Sequence, residues 1–193
     1  MDDALKHRIK ELVREEVAIV AYDKAWPKMF ETEANFLKAK LPAGLLRRIE
    51  HFGSTAVPGL SAKPIIDILV EVADLDETKD KIVPILLSEG YEYFWRPASG
   101  NEGPPYYAWF IKRNASGQRT HHIHMVESDS ELWDRLFFRD YLREFPDIAK
   151  KYETMKINLS EQHTYDRVRY TNEKSVFILS LTQRAKEYYQ THR

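Results

Sequence analysis

Cysteine is missing from all 193 residues. Its absence excludes disulfide bonds, thiolate zinc sites, iron–sulfur clusters and a cysteine nucleophile. The 7 glycines and 9 prolines are too few for a collagen-like or low-complexity chain. No apolar run approaches the roughly 18 residues that a membrane-crossing helix needs. The opening Met1-Asp2-Asp3 begins no apolar signal segment, and acidic residues come too early for an organelle transit peptide. The expectation is a cytoplasmic protein. An excess of charge of one sign is missing too: 29 Lys and Arg stand against 30 Asp and Glu, a formal net charge of −1. Without a global positive field, neither nucleic acid nor an anionic membrane is an expected partner, although a local basic patch stays open.

What is present fits one soluble domain spanning 1–193. Hydrophobic residues make up 43% and charged residues 31% of the chain, ordinary values for a globular protein. A chain of this length can also bury a core without staples. Residues 4–16 read as a charged helix with Leu5, Ile9, Leu12 and Val13 on one face, and Val17–Ala21 as a strand or extended arm. Trp26, Phe30, Ala34, Leu37 and Leu41 recur at helical spacing, with Asp23 as a candidate cap. Leu46–Phe52 reads as a strand. Ile65–Val72 is aliphatic except for Asp67 and Glu71, the pattern of a strand covered on both faces. A helix over 76–89 stops at Gly90, and strands follow over Tyr91–Arg96, Tyr106–Lys112 and His121–Val126. From Ser130 to His192 the pattern is helical, broken near Pro146 and around Thr164–Asn172. The fold class is therefore α/β or α+β: a mixed β-sheet flanked by helices, with a helical C-terminal half.

Two stretches carry the chemistry. In the first, a strand ends at Gly53-Ser54, and a second strand brings Asp67 thirteen residues after the serine. Glycine lets a ligand approach the backbone, and Ser54, Thr55 and exposed amides can hold a phosphate. Asp67 lies between Ile66 and Ile68, where a carboxylate is costly to bury without a partner, so it is the candidate metal ligand. Glu71 lies too far along the strand, about 13 Å at roughly 3.3 Å per residue, to share the same ion. Lys63 reads either as a point charge for phosphate or as a solvated loop lysine. His51 alternates with Gly53 and either faces the same site or is a hydrogen-bonded structural residue.

The second stretch is Arg119-Thr120-His121-His122-Ile123-His124. On a strand, His122 and His124 share a face and can converge on a transition metal, or they simply form a polar face. Arg119 could add anion-binding charge, and Arg113 reads as an exposed turn residue. The aromatics from Tyr91 to Trp109 read mostly as strand packing.

These blocks resemble the GrpB family of the nucleotidyltransferase-like superfamily. The resemblance rests on Tyr22-Asp23 with Trp26-Pro27, on His51 through Leu60, and on Ala62 through Ile68. It continues through His122-Ile123-His124, Phe138 through Leu142 with Pro146 beyond, and Tyr170 through Lys174. It implies a nucleotidyltransferase-like mixed sheet with the Gly-Ser turn at its active edge. It also implies a divalent metal ion, with a nucleoside triphosphate as substrate. The superfamily pattern places a second carboxylate two residues after the first, where this chain has Leu69, and a third on a later strand, where it has His122 and His124. A pair of magnesium ions about 4 Å apart needs more anionic oxygen than one aspartate supplies, whereas imidazole suits zinc, iron, manganese or nickel. The resemblance leaves two functions open. One is metal-dependent nucleotidyl or phosphoryl transfer, with Asp67 and Ser54 at the reacting centre and Gly53, Ser54, Thr55, Lys63 and Arg119 on the phosphates. The other is a nucleotide- or phosphate-binding accessory module linked to coenzyme A metabolism, because some relatives are fused to a dephospho-coenzyme A kinase. A weaker third option is modification of RNA ends.

Overall fold

The computed structural model describes residues 15–98 and 104–192. Most of the helix expected over 4–16 falls outside them. Strands β1 (Leu46–Phe52), β2 (Ile66–Val72), β3 (Glu92–Pro97), β4 (Tyr106–Arg113) and β5 (Arg119–Val126) form one sheet in the order β1-β2-β5-β4-β3. The β2–β5 pair is parallel and the other pairs are antiparallel. Helix α1 (Trp26–Lys40) precedes the sheet. Between β2 and β3 lie α2 (Leu75–Glu77), a π-helical turn (Thr78–Ile82) and α3 (Val83–Ser88). The C-terminal half is α4 (Arg135–Glu144), α5 (Pro146–Gln162) and α6 (Arg167–His192). Among the described residues, no helix is long and apolar enough to cross a membrane.

The two faces of the sheet are built differently. Ile66, Ile68 and Val70 of β2, Phe110 of β4, and Ile123 and Met125 of β5 are fully buried. They form one core with Trp26 and Leu37 of α1 and Leu86 of α3. Strand alternation sends the intervening residues Asp67, Leu69, His122 and His124 to the opposite face. The C-terminal helices pack around a second core of Phe138, Tyr141, Tyr152, Leu181 and Tyr189, which also receives Val57 and Leu60 from the loop between β1 and β2.

Two local expectations are revised, and one left open is decided. Asp23 does not cap α1. Its Oδ1 accepts the Ala25 amide at 2.8 Å, a turn one residue ahead of the helix, whose cap residue Ala25 has no side-chain acceptor. The arm over 17–21 makes a single bridge, Val20 to Ala62, rather than a strand. The helix expected over 76–89 is interrupted by the π-turn, and Pro84 opens its last segment, where the missing N–H costs least. The break at Pro146 is present, with Pro146 in the first turn of α5.

Candidate metal centre

The register of the parallel pair assembles the centre. Asp67 lies opposite His122, and Leu69 lies opposite His124. One donor atom each from Asp67, His122 and His124 lies within 4.8 Å of the other two. Donors around a shared ion at about 2.1 Å sit roughly 3.4 Å apart when tetrahedral, so small side-chain rotations suffice. The His122 Nδ1 to Asp67 Oδ1 distance is 3.1 Å. An ionised carboxylate can only accept, so Nδ1 carries the proton and Nε2 keeps its lone pair. That Nε2 is buried and has no hydrogen-bond partner. An enclosed acceptor without a donor is costly, and a metal ion would satisfy it. The carboxylate–imidazole bond is the kind that orients a metal-binding histidine. His124 Nδ1 meets the Tyr107 hydroxyl at 3.2 Å, and its ring stacks on Tyr107. The donor set fits a transition metal.

The electrostatics agree. Burial opposes ionisation of Asp67, but the His122 hydrogen bond and the charges of His122, His124 and Lys174 outweigh it and hold the carboxyl at about 2. Burial pushes His122 down to about 4 and His124 to about 3 against the pull of Asp67. At neutral pH the centre therefore presents one carboxylate and two neutral imidazoles, the protonation states that ligate metals.

Gly53 holds the turn against this centre. Its φ of 74° is one that side chains disfavour, and a Cβ there would meet Asp67 Oδ2 at 2.5 Å. Ser54 follows, half-buried and in hydrogen-bonding contact with the Tyr152 phenol. Gly53, Ser54, Asp67, His122 and His124 are thus brought together. Lys63 joins them from the loop, its Nζ 5.0 Å from the Tyr170 ring centroid, and its charge bears on His122.

Other candidates are placed elsewhere. The Thr55 hydroxyl is buried and donates to the Ile65 carbonyl at 3.1 Å while His51 Nε2 lies 3.0 Å away. Its single proton is spent, so His51 must donate to it, and the Thr55 side chain serves the turn rather than a ligand. His51 stacks on Phe30 of α1, on the core side of the sheet. Arg119 Nε pairs with Glu15 at 2.6 Å, a carboxylate that also takes Arg113 at 2.7 Å and Arg167 at 3.0 Å. Arg119 is therefore engaged by Glu15, but one carboxylate does not cancel three guanidinium charges, and the Arg119 charge still bears on His122. Arg113 is not a bare turn residue either, since it also bonds Glu92 and the Gly117 carbonyl.

Three residues near the centre escaped the sequence reading. The charge of Lys174 on α6 bears on Asp67, and those of Arg96 on β3 and Arg135 at the start of α4 bear on His124. Tyr170 and Lys174 are one helical turn apart in the last resemblance block, which was the available signal for Lys174. Arg135 gave none.

A family model described as GrpB protein matches residues 16–184. The glutamate-rich protein GrpB of Alkalihalophilus pseudofirmus is 35% identical over 164 residues, covering 84% of this chain and 92% of its own. The crystal structure of conserved protein GrpB from Enterococcus faecalis superimposes with a TM-score of 0.76 at 36% identity, over 89% of this chain and 99% of that one. A dephospho-CoA kinase of Mycobacterium tuberculosis is 27% identical across 93% of this chain, which spans 48% of that protein.

Proposed function

The chain belongs to the GrpB family, and on that footing we propose that it binds a divalent metal ion through Asp67, His122 and His124 and acts on a small phosphate-bearing molecule, a nucleotide, by nucleotidyl or phosphoryl transfer. The observation that carries this reading is that one donor atom each from Asp67, His122 and His124 lies within 4.8 Å of the other two. A bound divalent ion supplies Lewis acidity toward phosphoryl oxygens. The chain's own groups do the rest. The Gly53 turn admits a ligand close to the backbone, the Ser54 hydroxyl is placed to contact a phosphate oxygen, and Lys63 adds positive charge on the His122 side. The mixed sheet with its Gly-Ser turn beside the aspartate is the arrangement that the nucleotidyltransferase resemblance implies.

Leu69 carries a second reading. It is fully buried, packed with Tyr107 and Val126, at the position where a second carboxylate would hold a second ion. A centre with one carboxylate retains binding while lacking the charge for a two-metal displacement. In that case the protein is a nucleotide- or phosphate-binding accessory module, and the kinase relative directs attention to coenzyme A precursors.

Calorimetry with manganese(II) or zinc(II), followed by nucleoside triphosphates and dephospho-coenzyme A, tests both. Wild-type protein is expected to bind metal, and Asp67→Asn to lose at least about a hundredfold in affinity with the fold intact. Metal-dependent product release supports transfer, and binding without product supports the module. Equal metal affinity in wild type and Asp67→Asn would defeat both readings.

A further inference from the structure

Helix α6 is apolar on two sides. Phe177, Leu181 and Ala185 pack into the second core. On the opposite side, Val168, Val176, Leu179 and Gln183 all fall within about 40° of Asn172 at 3.6 residues per turn. No charge interrupts this band, in a chain whose residues are 31% charged. Val176 is 72% exposed and Leu179 60%, with Val168 and, in the turn ahead of the helix, Tyr165 open beside them. These are four of the seven large apolar side chains exposed among the described residues. A surface helix needs one apolar stripe to join its core, so a second one, turned outward and gathered in one place, marks a contact surface.

The spacing of the stripe indicates which partner fits it. Steps of three, four, four and three residues separate Tyr165, Val168, Asn172, Val176 and Leu179, so the stripe reads the same in both directions about Asn172. Laid antiparallel on a copy of itself, with a two-fold axis at Asn172, it sets Val168 against Val176 and Tyr165 against Leu179. The two Asn172 amides then meet on the axis, each able to donate and to accept. A lone asparagine of this kind fixes the register of paired helices. The flank is complementary in charge as well. Arg169 and Glu173 stand on one side of the stripe and bond each other at 2.9 Å. The same axis brings each Arg169 to within a rise of about 3 Å of Glu173 in the other copy, a reciprocal pair of ionic contacts. We propose that this face of α6 is a two-fold docking surface for a second copy of the chain, antiparallel and centred on Asn172. The surface lies outside the metal site and does not depend on it.

Sedimentation equilibrium of the full chain tests this. The mass should rise from 22.8 kDa toward twice that as concentration increases. A contact smaller than a standard interface gives a dissociation constant of about 1–100 µM, so the series runs from about 1 to about 300 µM. Val176→Glu should weaken association at least about tenfold with the melting temperature unchanged. Glu173→Arg should weaken it severalfold, and Arg169→Glu added to it should restore most of the affinity. Because the chain has no cysteine, single cysteines read the register. Asn172→Cys should oxidise to a disulfide-linked dimer at least about tenfold faster than Gln190→Cys, which lies on the same side of α6 but off the axis. Equal cross-linking of both overturns the antiparallel pairing, and association undiminished in Val176→Glu overturns the surface. So does a chain that stays monomeric at the highest concentration. In that case a fall in melting temperature for Val176→Glu assigns the stripe to this chain's own residues 1–14, and no change leaves it to a different protein. The wild-type series stands even if a variant does not fold.

Discussion

Two acidic side chains lie against opposite faces of the same sheet, and they are treated in opposite ways. Glu33, from α1 on the aliphatic face, is 3% exposed and fully engaged: the Tyr91 hydroxyl donates to Oε1 and Lys112 Nζ reaches Oε2 at 2.5 Å. Asp67 keeps its side chain 30% exposed and, among the described residues, has one hydrogen-bond partner, His122, whose far nitrogen is left without any. A carboxylate closed off by its partners holds a fold together. One that is left reachable beside an unpartnered imidazole is available for chemistry.

The contrast can be broken most severely at Gly53. Gly53→Ala forces a Cβ into Asp67 Oδ2 at a backbone angle side chains avoid. Metal affinity should fall by roughly a hundredfold or more, with a melting temperature lowered by several degrees, about 1–3 kcal/mol. Metal titration of a folded variant reads the first effect, and unchanged affinity would separate the turn from the centre. The next effect reverses the roles of the two acids. Glu33→Ala leaves Lys112 and the Tyr91 hydroxyl without their acceptor, so urea unfolding should show a loss of about 3 kcal/mol while metal binding is unaffected.

A gentler probe addresses Lys156 of α5, which clamps the loop leading into β2. Its Nζ donates to the Ser61 carbonyl at 2.5 Å while Glu153 Oε1 accepts the Ser61 amide at 2.8 Å. Burial, with the Lys174 charge behind it, pushes Lys156 down to about 7 from the ordinary 10.5. The unfolded chain therefore binds more protons than the folded one between those two values. Stability should rise with pH across that window, and the cost of charging Lys156 is fully present below it. Lys156→Met should flatten this dependence by at most about 1.4 kcal/mol per pH unit. An identical pH profile in the variant would show that Lys156 reaches solvent.

Most of the sheet was legible because its strands are either strict alternations or aliphatic runs. Leu46–Phe52 has the expected bounds, and β2 begins one residue later than expected. Asp67, His122 and His124 were legible as candidates, since a carboxylate among isoleucines and a His-x-His strand stand out by composition. Their proximity was not, because it depends on a parallel pairing between segments 55 residues apart. Thr55 was misread because its hydroxyl is spent on the Ile65 carbonyl, and Arg119 because it pairs with Glu15, partners that spacing alone does not bring near; for His51 the hydrogen-bonded structural reading holds. The π-turn over Thr78–Ile82 leaves no periodic signature distinct from an ordinary helix, and Arg135 is one arginine among several in a helical stretch.

The in-register contact of β2 with β5 has a consequence for assembly. Its two halves come from segments with α2, α3, β3 and β4 between them, so an N-terminal piece ending before Arg119 holds the aspartate without either imidazole. Ion capture would then report completion of the central sheet, and chain closure and cofactor loading would become a single thermodynamic event.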